Sequence, residues 1–340
     1  MKRFLEPGTP TAVGSLPYDD VETAITETLR LHPELPAAPQ LPRLRHREGM
    51  LAQVAAGMSG VTVADDGWSL DVDRRRLGTG DVDTDLDEDA FGSTLRFLRA
   101  AADGAGARFG SGAVKVQVAG PVTLGLALLA AGARPTKAFA LAGAVVRGRV
   151  KALVRASHAA LPGAPVVVVL DEPGLTAFPA PGFPLGAEDT IDLLSSALAA
   201  AGHDHVMAGV HCCGPTDWRL VLHAGPDLVS MPVDATVGKD ASGLAAFLDR
   251  GGWVAWGAVP TDRPIGERED LHWRRLNGLW ADLSRNGCDP TRLRMQSLVT
   301  PACGLANHRP QQVASIYGLV RRLAERVQDQ AIAARMSAGA

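Results

Sequence analysis

The run Val166-Val167-Val168-Val169-Leu170, ending on Asp171-Glu172-Pro173, is the feature that most constrains this chain. Five consecutive apolar residues, four of them β-branched, read as a strand buried on both faces. Such a strand belongs in a parallel sheet covered by helices. The pattern recurs. Short runs at Thr11–Ser15, Leu35–Gln40, Val114–Ala119, Val166–Asp171, Val206–His211, Leu228–Met231, Trp253–Val259 and Leu293–Thr300 predict eight strands. Longer stretches rich in Ala, Leu and Arg separate them, and Asp19–Leu31, Lys137–Ala160, Ala187–Ala201 and a segment opened by Pro310 predict helices. In the last of these, Val313, Ile316, Leu319, Val320, Leu323 and Val327 share one helix face. Eight strand–helix units predict an α/β fold, a (β/α)8 TIM barrel formed by residues 1–340 as one domain.

The stretch 52–112 is too long for a single connection and predicts an insertion after strand two. Its acidic run Asp81–Asp89 has Leu86 where a calcium loop needs its turn glycine, so it reads as a solvated loop and helix start. Gly104–Gly112 lacks the dinucleotide spacing and reads as a turn.

Composition removes several function classes. Apolar residues make up 46% of the chain, enough to offset the ordering entropy of a folded core and to exclude wholesale disorder. Thirty-four Lys and Arg against 37 Asp and Glu give a net charge of −3, which excludes a strongly basic nucleic-acid reader and gives no reason to expect an anionic membrane surface as partner. The longest apolar run, Val122–Ala133, is too short to span a bilayer, and the first residues lack the apolar segment of a secretory signal. Four cysteines, two of them adjacent, do not form a disulfide framework, so the expectation is a reduced, cytoplasmic protein.

The unusual residues fall at predicted strand ends: Gly14-Ser15, Gly120-Pro121, Asp171-Glu172, His211-Cys212-Cys213-Gly214, Gly257-Ala258 and Cys303-Gly304. In a parallel barrel these ends share one rim, where barrel enzymes hold their sites. Side chains alternate along a strand, so His211 and Cys213 face the same way and Cys212 faces away. One imidazole with the sulfurs of Cys213 and Cys303 makes a three-ligand zinc site with an open fourth position for a substrate thiol. The competing reading is that these cysteines are small buried hydrophobes. Cys288, in a turn before the last strand, reads as structural. Asp171 at a barrel mouth needs a partner, either a substrate ammonium or an arginine. Ser15 is a ligand contact or a turn serine.

Five motifs in order, Val13-Gly14-Ser15-Leu16-Pro17, Ala119–Leu124, Leu170–Leu175, His211–Gly214 and Thr300–Leu305, resemble the C-terminal catalytic barrel of cobalamin-independent methionine synthase. The wider superfamily includes coenzyme M and corrinoid-dependent methyltransferases and uroporphyrinogen decarboxylase. The resemblance covers nearly the whole chain. It implies a methyltransferase of methionine biosynthesis that uses Zn2+ to activate a homocysteine-like thiol, with a methylated folate or a methylated corrinoid protein as donor. By matching motif, it implies His211, Cys213 and Cys303 as zinc ligands, and Ser15 and Asp171 as holders of the amino-acid end of the acceptor. The chain also departs from the family. Pro232 stands at about the place of the family's zinc-binding Glu, with Asp234 the substitute ligand two residues on. Gln40 is nearest to a family Glu after strand two, and Val259–Pro264 lacks the family's His. The 340 residues leave no room for the synthase's second, N-terminal barrel, so none is expected within them. A His/Cys/Cys set without Glu is closer to the coenzyme M type. The rival expectations are epoxide opening by a thiol, porphyrin decarboxylation using Arg43, Arg45 and Arg47, and a non-catalytic barrel that binds a thiol or corrinoid.

Overall fold

The computed structural model describes residues 4–64, 69–78, 86–103, 112–178, 180–202, 205–234, 237–263, 265 and 268–338. In chain order the elements are β1 (Thr9–Pro10), α1 (Val21–Leu31), α2 (Met50–Ala55), β2 (Val61–Val63), β3 (Leu70–Val72), α3 (Glu88–Ala102), β4 (Val114–Ala119), α4 (Pro121–Ala130), α5 (Pro135–Ala160), β5 (Val166–Asp171), α6 (Ala187–Ala199), β6 (Val206–His211), α7 (Trp218–His223), β7 (Leu228–Pro232), α8 (Ala241–Asp249), β8 (Trp253–Val259), α9 (Glu269–Arg285), α10 (Pro290–Met295), β9 (Ser297–Pro301) and α11 (Pro310–Ala338). No described helix is long and apolar enough to cross a membrane.

Seven strands form one parallel sheet in the order β1-β9-β8-β7-β6-β5-β4. The gap between β4 and β1 is filled by residues 36–40, through isolated parallel bridges Ala37–Lys115 and Ser15–Gln40. Backbone hydrogen bonds from Lys115 N to Pro36 O (2.9 Å), Ala38 N to Lys115 O (2.8 Å) and Gln40 N to Gly14 O (3.1 Å) complete the ring. The (β/α)8 barrel is thus closed, with its second strand reduced to bridges. The reason is in the residues. Pro36, Pro39 and Pro42 punctuate this segment, and proline has no N–H to give to a ladder.

The expected first and eighth strands need correction. Ladder pairing of the first is at Thr9–Pro10, not Thr11–Ser15, because Gly14 turns the backbone to φ +134°. A Cβ there would also lie 2.1 Å from Gln117 Nε2, so only glycine fits. The last strand begins at Ser297 rather than Leu293. Asp289 Oδ1 accepts from Thr291 N (2.7 Å) and Arg292 N (3.2 Å), and Pro290 occupies the first turn, so this cap carries Leu293 into α10.

Between residue 40 and β4 lie α2, the antiparallel hairpin β2–β3 and α3. Asp87 starts α3, its Oδ1 accepting from Asp89 N at 2.7 Å and Ala90 N at 3.1 Å. Asp81–Asp85 and Gly104–Ser111 lie outside the described residues. Buried Glu48 ties this region to the barrel, accepting from Leu41 N, Ser93 N and Ser93 Oγ, each at 2.9 Å.

Strand β5 explains the two-layer core. Val167 and Val169 point into the barrel with Met207, Leu228, Trp253 and Leu298. Val166, Val168 and Leu170 point outward beneath the helices. One face of α11, including Val313, Ile316, Val320, Leu323 and Val327, is buried against that outer layer. The barrel is therefore plugged by apolar side chains in its lower part, and its polar residues are confined to the upper rim.

Candidate metal centre

Strand parity sets which residues reach the rim interior. Two residues beyond Val169 comes Asp171, and two beyond Leu228 comes Ser230. Two beyond Leu298 comes Thr300, and four beyond Met207 comes His211. Register brings three of these together, because Asp171 pairs with His211 and His211 with Ser230 on adjacent strands. Neighbouring strands lie about 4.8 Å apart, so these side chains form a row across the mouth.

Among the described residues, His211, Cys213 and Cys303 form a group whose possible ligand atoms all lie within 4.8 Å of one another. His211 and Cys213 come from the end of β6, and Cys303 from the turn after β9. Cys212 faces the other way into the core, its Sγ directed at Gly214 O (3.6 Å), and burial pushes its thiol up to about 12. Cys288 is also buried, with Sγ 3.3 Å from Ala241 O, and burial raises it to about 11. Neither has the character of a ligand.

The electrostatics favour metal-binding forms. Burial, helped by the Lys115 charge, holds His211 down at about 3, so the imidazole is neutral. Its Nδ1 lies 2.9 Å from Ser230 Oγ, while its Nε2 is buried with no hydrogen-bond partner. The Cys303 thiol donates to Cys213, which lowers Cys213 and raises Cys303.

The expected acceptor residues surround this group. Asp171 is buried and its Oδ1 has no partner. Burial raises its carboxyl, with the Lys115 charge opposing, while burial lowers Lys115 with Asp171 opposing. Ser15 meets the turn after β9, where a Cβ on Gly304 would fall 1.9 Å from Ser15 Oγ, so glycine beside Cys303 admits the serine. Gln40 is buried, its Nε2 donating to Gln53 Oε1 at 2.6 Å. Asp234 lies on the wall of the adjoining cavity, but its carboxylate is not among the clustered donor atoms. Pro232, on β7, brings no ligand atom.

That cavity has a volume of about 690 Å³ and opens from Cys213 and Cys303 toward Pro260, Arg263, Arg275 and His308. Arg43, Arg45 and Arg47 are exposed and do not line it; Arg45 bonds Glu88 O and Arg47 approaches Asp89.

Sequence reasoning assigned no role to four groups. Ser230 needed the β6–β7 register to be seen beside His211. Lys115 and Gln117 alternate with valines, and nothing in that local pattern shows what they bond. Lys115 Nζ donates to Val13 O (2.8 Å) and Gln117 Nε2 to Ala38 O (2.7 Å), so both knit the short strands into the barrel. Glu172 points away from Asp171 and accepts from Val122 N (2.8 Å), Thr123 N (2.7 Å) and Thr123 Oγ1 (2.6 Å) at the start of α4. Burial nonetheless raises its carboxyl to about 7. The adjacency of Asp171 and Glu172 was the available signal, since alternation sends one in and the other out.

No family model and no curated protein matches this chain. Among solved structures, it is similar to a B12-independent methionine synthase from Shewanella sp. W3-18-1 in complex with selenomethionine, with a TM-score of 0.64 and 14% identity over 96% of this chain and 99% of that one. A D-psicose 3-epimerase from Clostridium cellulolyticum H10 aligns at a TM-score of only 0.32 and 12% identity, over 96% of this chain and 99% of that one. The first similarity shows a shared fold.

Proposed function

We propose that this protein is a zinc-dependent methyltransferase that moves a methyl group onto the sulfur of a homocysteine-like thiol, giving methionine when the thiol is homocysteine. The observation that carries the reading is one imidazole and two thiol sulfurs within 4.8 Å at the barrel mouth, the imidazole Nε2 buried without a partner. An unpartnered buried nitrogen beside two thiols is costly unless a ligand completes it, and a His/Cys/Cys set suits Zn2+. His211, Cys213 and Cys303 would hold the ion, which when bound supplies an open position that keeps an acceptor sulfur as thiolate at neutral pH.

The chain's own residues do the rest. Asp171 Oδ1 receives the acceptor's ammonium, whose charge offsets the burial that raises this carboxyl. The Oε1 of Gln40, anchored through its NH2 on Gln53, accepts from the same ammonium, and the Ser15 hydroxyl donates to the acceptor's carboxylate. The cavity beside β7–β9, which reaches Cys213 and Cys303, is the space we assign to the methyl donor. The similar Shewanella enzyme is B12-independent, which lends no support to a corrinoid protein as partner. A small methylated folate is the donor class we favour.

The test is transfer of labelled methyl from 5-methyltetrahydrofolate, with homocysteine, 2-mercaptoethanesulfonate and an epoxide–thiol pair run in parallel. Labelled methionine, lost in His211→Ala, is expected. Turnover of the epoxide pair with none of homocysteine would overturn the reading.

A further inference from the structure

The two nitrogens of His211 are in different situations, and the difference fixes the chemistry of the ring. Both His211 and Ser230 are buried, at 4% and 5% exposure, so water cannot replace either partner. They are opposite each other in the β6–β7 ladder, with His211 Nδ1 2.9 Å from Ser230 Oγ. The backbone reinforces the register, with Cys212 N donating to Ser230 O at 3.1 Å. The remaining nitrogen, Nε2, has no protein partner and belongs to the group with Cys213 and Cys303. A neutral imidazole carries one proton. If it sits on Nδ1 and is donated to Ser230 Oγ, the Nε2 lone pair faces the sulfurs. If it sits on Nε2, the ring cannot ligate there.

We propose that Ser230 is a positioning residue of the metal centre: it accepts the Nδ1 proton of His211, selecting the tautomer and ring orientation that present Nε2 to a divalent cation. This rests on the zinc reading above. Ser230 is a short, rigid acceptor on a regular strand, at the same level as the ligand it orients. Pro232, the next inward residue of β7, contributes no side-chain donor or acceptor, so on this strand the task falls to the serine. Partners of this kind commonly change metal affinity by about 10–100-fold when removed.

The experiment is zinc affinity by chelator competition on the full-length chain, for wild type, Ser230→Ala, Ser230→Thr and His211→Ala, with nitrogen NMR of the His211 tautomer in the metal-free protein. The expected result is that Ser230→Ala binds zinc about 10–100-fold more weakly and shows a mixed tautomer, while Ser230→Thr, which retains the hydroxyl, recovers both. Melting of the metal-free variants identifies any loss of folding. Wild-type affinity and an unchanged Nδ1–H tautomer in Ser230→Ala would overturn the proposal. Equal zinc binding by wild type and His211→Ala would be a separate failure, that of the metal reading beneath it.

Discussion

The barrel has two unlike halves. From β4 through β9 neighbouring strands pair in a parallel ladder, with a register shift between Gly257 and Val259 where β8 meets β9, and their inward residues lead toward the rim. Around β1 and residues 36–40, proline and a left-handed glycine interrupt the ladder, and side chains from β4 do the joining. The metal donors stand at the ends of regular strands, whereas Ser15 and Gln40 come from the irregular side. A metal centre demands tightly held distances, and laddered strands provide them. A pocket for a flexible amino-acid chain needs shape more than rigidity, which loops and bridges supply.

If β4 side chains replace missing backbone pairing, the irregular half should be sensitive to a substitution that looks mild. Lys115→Met retains volume but removes the bond to Val13 O and leaves Asp171 without its compensating cation. We expect it to cost about 3–5 kcal/mol of stability in denaturant unfolding. A neutral or stabilising result would show that Lys115 merely fills space and would dissolve the contrast.

A smaller effect probes the helices flanking the same half. His32, at the end of α1, is fully buried against Tyr317 of α11 with ring centroids 4.3 Å apart, and both its nitrogens lack partners. Burial, aided by the Arg321 charge, lowers it from 6.5 to about 3. The unfolded chain therefore takes up the proton first. The contribution of the neutral ring is fully present above pH 6.5 and is lost as pH falls toward 3. At pH 4.5 the loss is about 3 kcal/mol, so His32→Leu should flatten the acid limb of stability while leaving the neutral-pH value little changed. An identical pH profile would place the acid sensitivity elsewhere.

The same contrast explains what could be read in advance. Val166–Asp171, Val206–His211 and Trp253–Val259 were legible to the residue because their apolar runs need no knowledge of their neighbours, and Val114–Ala119 was legible from its three valines. The first strand was displaced, since sequence gives no φ for Gly14, and Leu293 was claimed by a helix cap that outweighs its apolar neighbours. At the site, alternation was enough to set His211 and Cys213 on one side and Cys212 on the other. Ser230 and Lys115 stayed hidden because their roles depend on register and on a neighbouring strand's defects, neither of which is written locally. Asp234 was chosen for its parity with Pro232, and its carboxylate is not among the clustered donor atoms.

The most direct measurement is the zinc content of protein purified without added metal, compared among wild type, His211→Ala and Cys303→Ser. One zinc per chain in the wild type, with little or none in either variant, is predicted. A metal content that neither substitution changes would contradict a centre built from His211, Cys213 and Cys303.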